Sequence, residues 1–543
     1  MTVREDLRSG DTDGPKPRML AQTSMENFSE AQTTQKEVSR RNNEALQALS
    51  GIPAAAEFKQ KTVRGGAAAV FSQGVGMGLQ IITTIVLARL LTPTDYGLQA
   101  MVVTLTGFFS LFKDAGLSVA SVQRETLTHE QISTLFWINV GIGALLMVII
   151  ACAGPLLAVF YKEPRLLWIT VASATIFLLN SLSVQHRALL DRSMQFTTGA
   201  KIEILANIVG TVVAIGMAAL GCGYWSLIVQ TLSLYVVSTV AAWIAMPWMP
   251  GKPHWTPELR SMVRFGGTVT LNSFVVYLAY NTEKILLGRF WGSAPLGLYG
   301  RAYQLGNLPV QQLTGSVGTV AFPMLSRLQG DAARMRRSYL KAHTLVVSLT
   351  VPVVISCALF ADEIVSTVLG PKWAGTAGIL QRLSPAILVF ALMNPLSWLL
   401  RATGRVERSL KISLLIAPVV ILGVLAGLRY GPTGVALGYS AAMVVLVGPL
   451  VAWAKHGTEI STADYLDCIK RPLIAGVMGG VAGFLFKLAC HATLAPLPLV
   501  VGEVTIAFGV YILLLLFAMG QKEMFIDLLG EVFRRKNAVP AES

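Results

Sequence analysis

From Gly65 to about residue 519 the chain is a succession of apolar runs of about 20 residues parted by short polar breaks, and each run is long enough to cross a bilayer as a helix. In lipid only helices and closed barrels satisfy every backbone polar group, and the alternating ten-residue pattern of a barrel is absent. The expected fold is therefore an all-α polytopic membrane protein with about fourteen transmembrane helices. With 53% hydrophobic and 14% charged residues over 543 positions, no room remains for a large soluble domain. The first six spans are expected near 66–91, 96–118, 134–160, 166–190, 198–220 and 224–247, and the next six near 262–291, 296–324, 340–361, 376–400, 409–429 and 433–454. Two more, near 472–490 and 497–519, follow.

The first twelve spans form a duplication. Val63, Arg64, Gly66, Ile85, Leu87, Arg89, Gly97, Leu98 and Leu105 recur in register as Val263, Arg264, Gly266, Ile285, Leu287, Arg289, Gly297, Leu298 and Leu305. Further on, Asn180, Leu182, Ser183, Arg187 and Ala188 recur as Asn394, Leu396, Ser397, Arg401 and Ala402, at an offset larger by roughly fourteen residues. The extra residues are expected around the basic stretch Arg327 to Arg337. Because six spans separate the copies, both enter the membrane from the same side, so the expected arrangement is two parallel-repeat six-helix lobes around a central cavity, with two C-terminal helices outside the repeat. The corresponding division is a disordered cytoplasmic tail at 1–61, lobes at 62–255 and 256–456, the last two helices at 457–520, and a charged tail at 521–543. A helical stretch from Thr33 to Leu49 is conceivable within the first tail.

The formal charge of +14 invites a nucleic-acid reading, but the basic residues sit in loops and no basic face interleaved with aromatics occurs. Topology accounts for them. Lys and Arg are about twice as frequent in the connections at one end of the spans as at the other, which by the positive-inside rule puts both termini in the cytoplasm. The five cysteines are scattered, which argues for packing rather than metal or redox chemistry, and His186 beside Arg187 reads as a helix-end residue rather than a ligand.

Candidate site residues come from the first span of each copy. At 100° per residue, Gln73, Met77, Gln80 and Thr84 share one face, as do Ser273, Tyr277, Tyr280 and Lys284 in the second copy. Each helix thus presents a polar stripe at matching height, and Lys284, with Glu283 beside it, adds charge. A charged residue within a span is costly and faces a wet cavity. Lys284 with Arg89, Arg289, Arg301 and Lys113 would form a cationic surface for an anionic head group, since guanidinium donors match phosphate oxygens bidentately. The alternative for Arg89, Arg289 and Arg301 is snorkelling to lipid phosphates at helix ends. Asp114, paired in sequence with Lys113, and Glu283 are candidates for ion coupling or gating, Lys113-Asp114 being equally readable as a local ion pair. Arg382, Lys201 and Glu203 are further charges inside spans. Gly74-x3-Gly78 reads as a close-packing pattern between membrane helices.

At Leu87-Ala-Arg-Leu-Leu-Thr-Pro-Thr-Asp-Tyr-Gly-Leu98 the chain resembles the polysaccharide transporter family of Wzx-type flippases, within the superfamily of multidrug, oligosaccharidyl-lipid and polysaccharide exporters. Lys113-Asp114-Ala-Gly-Leu117, Leu135-Phe-Trp-Ile-Asn139 and Val184-Gln-His-Arg-Ala-Leu-Leu190 resemble the subgroup of colanic-acid and amylovoran exporters. The resemblance implies a bacterial inner-membrane protein that moves an undecaprenyl-diphosphate-linked oligosaccharide between leaflets by alternating access. It also implies a cavity lined by the first two helices of each lobe, membrane lipids as surroundings, and a polysaccharide polymerase and other assembly proteins as partners. No cofactor or metal is expected beyond a coupling H+ or Na+. Two other functions compete. A drug or cation antiporter of the multidrug and toxin extrusion type would share the topology, although a cationic cavity suits an anionic cargo better. A membrane-embedded polymerase or ligase would need acids, bases or metal ligands in a sizeable loop, and the connections carry Arg rather than paired carboxylates.

Overall fold

A computed structural model describes residues 55–112, 128–253, 277, 281–491, 493–523 and 525–526. Among them there is no strand. In the first half the helices are α1 (Ala55–Leu90), α2 (Pro93–Ser110), α3 (His129–Tyr161), α4 (Leu166–Arg192), α5 (Phe196–Ala219) and α6 (Trp225–Ala245). The second half has α7 (Thr282–Trp291), α8 (Ser293–Arg327), α9 (Ala332–Leu359), α10 (Ala361–Val368), α11 (Gly375–Ala402), α12 (Val406–Gly427) and α13 (Gly431–Lys455). Then come α14 (Thr462–Cys490) and α15 (Pro496–Leu513), the last continued by a π-helical turn.

Ten stretches have the length and hydropathy of a span, and one of them, Leu414–Lys455, holds two helices. The exceptions are the short α10 and α2, α7 and α8, and these last three line the junction between the halves. The other helices turn large apolar residues outward, among them Leu156, Val159, Ile244, Leu422 and Val445, each more than 65% exposed. Such a surface is stable only against acyl chains. The chain is a multispan membrane protein of the expected all-α class.

Helix ends follow local chemistry. Thr92 caps α2: its side chain accepts from the Asp95 amide, the Asp95 carboxylate accepts from the Thr92 amide at 2.9 Å, and Pro93 occupies the first turn. This capping box explains the Thr-Pro-Thr-Asp sequence at that point. The matching turn in the second half is made differently, by Gly292 at φ +83°, a backbone conformation that a side chain would strain.

Two expectations are corrected. Most of the extra residues of the second copy lie elsewhere than at 327–337. They form α10 and the following turn: residues 360–374 separate α9 from α11, whereas only 162–165 separate α3 from α4. The charged stretch attracted the assignment, but an inserted short amphipathic helix at the opposite end needs no charge run to mark it. Nor is Gly74-x3-Gly78 a packing motif: an added Cβ at Gly74 or Gly78 meets nothing within 4 Å. The close-packed pair is α12 with α13, where Gly423, Gly427, Gly434 and Gly438 interlock and a Cβ on Gly438 would stand 2.0 Å from the Gly423 carbonyl oxygen.

Candidate functional site

The two halves meet where α2 crosses α8, and the duplication is visible in the contact. A Cβ on Gly97 would lie 1.8 Å from the Ser293 carbonyl oxygen, and one on Gly297 would lie 1.9 Å from that of Pro93. Gly97 and Gly297 correspond in the repeat, as do Pro93 and Ser293. Each helix therefore offers the other the same surface, the signature of an isologous two-fold contact.

Around this crossing the bundle is shut. Trp373, fully buried, donates from Nε1 to the Ala88 carbonyl at 2.7 Å, and Lys372 Nζ donates to the Arg89 carbonyl at 3.3 Å. The Arg89 guanidinium in turn donates to the Thr367 carbonyl at 2.9 Å. Tyr96 packs edge-on against Trp373, ring centroids 5.3 Å apart, and its other face carries the Arg301 guanidinium at 3.5 Å. Arg89, Lys372, Ser366 and Gly370 also line a recess of about 360 Å³ beside α10. These contacts close the end of the bundle bearing the Thr92 and Gly292 turns.

Beneath this closure, the second half supplies charge. Lys284 lies eight residues before Gly292 and Arg301 nine after it, so on antiparallel helices rising 1.5 Å per residue both sit about 12–14 Å below the turn. Lys284 Nζ donates to Asn281 Oδ1 at 2.9 Å, faces the Tyr303 ring at 5.4 Å, and stands 4.0 Å from Glu283 Oε1. The Glu283 side chain is 3% exposed against 26% for Lys284, so the ammonium faces the opening and the carboxylate stays behind it. Arg301 is also held by Gln304, whose Oε1 accepts at 2.6 Å. Arg289 sits higher, over the Phe160 and Phe290 rings.

The polar stripe on α1 lies where the wheel puts it in part. Gln73 and Gln80 are exposed, Met77 and Thr84 half-buried, and Gln73 donates across the cleft to Gln312 Oε1 of α8 at 3.3 Å. The opposite face packs on α5 through Ser72, which bonds the Ala200 carbonyl, and Thr83, which bonds Thr211. Tyr277 donates to the Thr104 carbonyl of α2 at 2.9 Å, bridging the halves rather than presenting its hydroxyl to the cleft. Lys113, Asp114, Ser273 and Tyr280 lie outside the described residues, as do the helix at 33–49 and the tail beyond 526. Lys201 and Glu203 are exposed on α5, and Arg382 bonds its own helix at the Gly378 carbonyl. His186 is buried, stacked on Trp243 at 4.2 Å and bonded to the Trp248 carbonyl, a packing role. Of the cysteines, Cys357 and Cys468 are buried while Cys152 and Cys222 are exposed, so packing describes only some of them.

Arg89 is held by the Thr367 carbonyl at the end of the bundle, and the other cations of the expected cluster among the described residues are Lys284, Arg301 and Arg289. The helical wheel of the first span missed a second lining. A cavity of about 230 Å³ opens between α2, α4 and α6, with Gln99, Thr106, Ser110, Asn180, Thr231 and Tyr235 on its walls. It contains no charge. The sequence signal was present as Gln99, Thr106 and Ser110 on one face of α2 and Thr231 and Tyr235 one turn apart on α6. The first half therefore holds an uncharged hydrogen-bonding pocket, and the second half carries the cations Lys284, Arg289 and Arg301.

Residues 86–377, more than half of the chain, match the family described as polysaccharide biosynthesis protein. The teichuronic acid biosynthesis protein TuaB of Bacillus subtilis is 28% identical over 420 residues, covering 74% of this chain and 84% of its own. The lipopolysaccharide biosynthesis protein WzxC of Escherichia coli is 24% identical, covering 72% of this chain and 80% of its own. Among solved structures, the lipid II flippase MurJ in an inward closed conformation superposes with a TM-score of 0.68 over 85% of this chain and all of that one, at 15% identity, which is likeness of fold. With the motif at Leu87 to Leu98 inside the matched stretch, the chain belongs to the polysaccharide biosynthesis protein family of membrane transporters.

Proposed function

We propose that this protein is a flippase that carries an undecaprenyl-diphosphate-linked oligosaccharide repeat unit across the bacterial inner membrane for exopolysaccharide, capsule or O-antigen assembly. The observation that carries the reading is the unequal chemistry of the two halves: Lys284 and Arg301 on the second, and an uncharged polar pocket within the first. A diphosphate cannot enter hydrocarbon without its hydration, and two cations in a wet cleft replace that hydration. Sugar hydroxyls are neutral donors and acceptors, and Gln99, Asn180, Thr231 and Tyr235 are neutral partners for them. The polyprenyl chain stays in the bilayer throughout. The closure at the Thr92 and Gly292 turns serves as the gate and lies on the extracytoplasmic side, with both termini in the cytoplasm, so that the closed gate leaves the cleft to receive its cargo from the inner leaflet. Rocking of the halves about the α2–α8 crossing then opens the other side, with H+ or Na+ supplying direction and Glu283 the described candidate for its entry into the cleft. Polymerases and other assembly proteins are the expected partners downstream, and no step of the cycle requires covalent catalysis.

Reconstitution with a labelled diphosphate-linked oligosaccharide, scored by leaflet over time, tests this. Charge-assisted hydrogen bonds contribute about 1.5–3 kcal/mol each, so Lys284→Ala and Arg301→Ala should each slow transfer by about 10- to 150-fold at equal protein levels. Transfer at the wild-type rate in both variants would remove the head-group assignment. Efflux of organic cations without lipid transfer would instead identify a drug antiporter.

A further inference from the structure

The inserted helix α10 touches both the gate and the two helices that lack a counterpart in the repeat. At its start Glu363 accepts from Lys487 of α14, Nζ to Oε1 2.7 Å, with the two side chains only 8% and 17% exposed. Glu503 of α15 is fully buried within electrostatic range of both, and neither of its carboxylate oxygens has a hydrogen bond, nor does Glu363 Oε2. The other groups around Glu503 bring no charge. Asp362 of α10 is turned to Gln381 of α11, the end of α9 places Phe360 against Gly483, and His491 at the end of α14 is exposed. One ammonium between two buried carboxylates leaves a net negative charge out of water, and such a charge is neutralised rather than tolerated. A proton does this on one oxygen, whereas a sodium ion needs about six oxygen ligands around it.

We propose that Glu503, with Glu363 and Lys487, is a binding site for one exchangeable proton, and that its occupancy sets the state of the gate through α10. With Glu503 protonated, Lys487 belongs wholly to Glu363, as in the structure, and α10 is tied to α14. That tie holds the Thr367 carbonyl against Arg89 and the Pro371–Trp373 turn against the carbonyls of Ala88 and Arg89. With Glu503 ionised, Lys487 is shared between two carboxylates, the tie to α10 weakens, and the gate loosens. Proton binding and gate closure therefore favour one another, reciprocally. The inference concerns the driving ion of the transport cycle proposed above and rests on that reading only for its purpose, since gate motion is measurable without cargo.

The test is a distance measurement across the gate in lipid nanodiscs. Spin labels go at Leu220 and Tyr430, exposed residues at the gate end of each half, in a chain whose five native cysteines are replaced. In the wild-type background the open population should rise with pH, by at most about tenfold per unit for one proton. Glu503→Gln, isosteric and uncharged, should stay closed at every pH. Glu363→Gln should stay open at every pH, because Lys487 is then left to an ionised Glu503. Lys487→Met, which removes the tie itself, should stay open at every pH and serves if the Glu363→Gln variant fails to fold. A wild-type distance indifferent to pH, a Glu503→Gln variant that titrates like wild type, or closure driven by Na+ at fixed pH would each overturn the proposal. Loss of lipid transfer with the pH response intact would count against the flippase reading and not against the proton site.

Discussion

Replacing Gly97 by alanine should open the gate. The added methyl would lie 1.8 Å from the Ser293 carbonyl oxygen, 2.4 Å from its carbon and 2.8 Å from its Cα, all backbone atoms of the facing helix. Ordinary contact requires about 3.5 Å, so α2 and α8 have to part by about 1.5 Å along that line. No rotamer change relieves such a clash. Overpacking of this kind costs about 1–3 kcal/mol, and because the strain exists only while the helices cross closely, it falls on the closed state. The ratio of open to closed molecules should then rise by about 5- to 150-fold. Gly297→Ala, meeting the Pro93 carbonyl at 1.9 Å, should do the same from the other copy, and the double variant should gain less than the two effects added, since one separation relieves both. Spin labels at Leu220 and Tyr430 report the change, and transfer of lipid-linked oligosaccharide should fall because the cleft no longer returns to receive cargo. An unchanged distance distribution in both single variants would refute the identification of this crossing as the gate.

Other expectations are simpler. Trp373→Phe removes the donor to the Ala88 carbonyl while keeping most of the packing, so the open population should rise by about 5- to 30-fold, from a loss of about 1–2 kcal/mol in the same distance assay. Gly438→Ala should lower thermal stability in detergent by about 1–3 kcal/mol, because its methyl would stand 2.0 Å from the Gly423 carbonyl. Gly74→Ala should stabilise by about 0.5–1 kcal/mol, since nothing approaches it and alanine favours the helix; equal effects in the two would mean that α12 and α13 are not in close contact. Lys284→Ala, which touches none of the contacts at the crossing, should slow transfer without shifting the resting gate distance, which separates cargo binding from gating.

Much of the fold could be read from the sequence because a bilayer imposes a fixed helix length, and because a two-hundred-residue offset keeps equivalent residues recognisable. Gly97 and Gly297 were visible as a pair; their mutual contact was not, since a repeat says which residues correspond and not which ones touch. The site was less legible, for two physical reasons. A charge in a membrane helix announces that it has a partner without naming it: Arg89 is satisfied by a carbonyl 278 positions away, on a helix that only one copy possesses. Hydroxyl residues are more ambiguous still. Thr104 bonds back to the Ala100 carbonyl and Thr106 to that of Val102, so either could be neutral in lipid, yet Thr106 lines the pocket of the first half. The inserted helix escaped correct placement because its eight residues are neither long enough to register as a span nor charged enough to register as a loop.

The presence of α10 in one copy only makes the two halves mechanically unequal. A perfectly doubled molecule would unclasp with both partners contributing alike, and nothing outside the twelve duplicated helices could favour either conformation. Here a lever rooted in the second half reaches over to grip the first, and its far end is seated on α14 and α15, so those two otherwise unmatched helices have a hold on a closure in which they take no direct part.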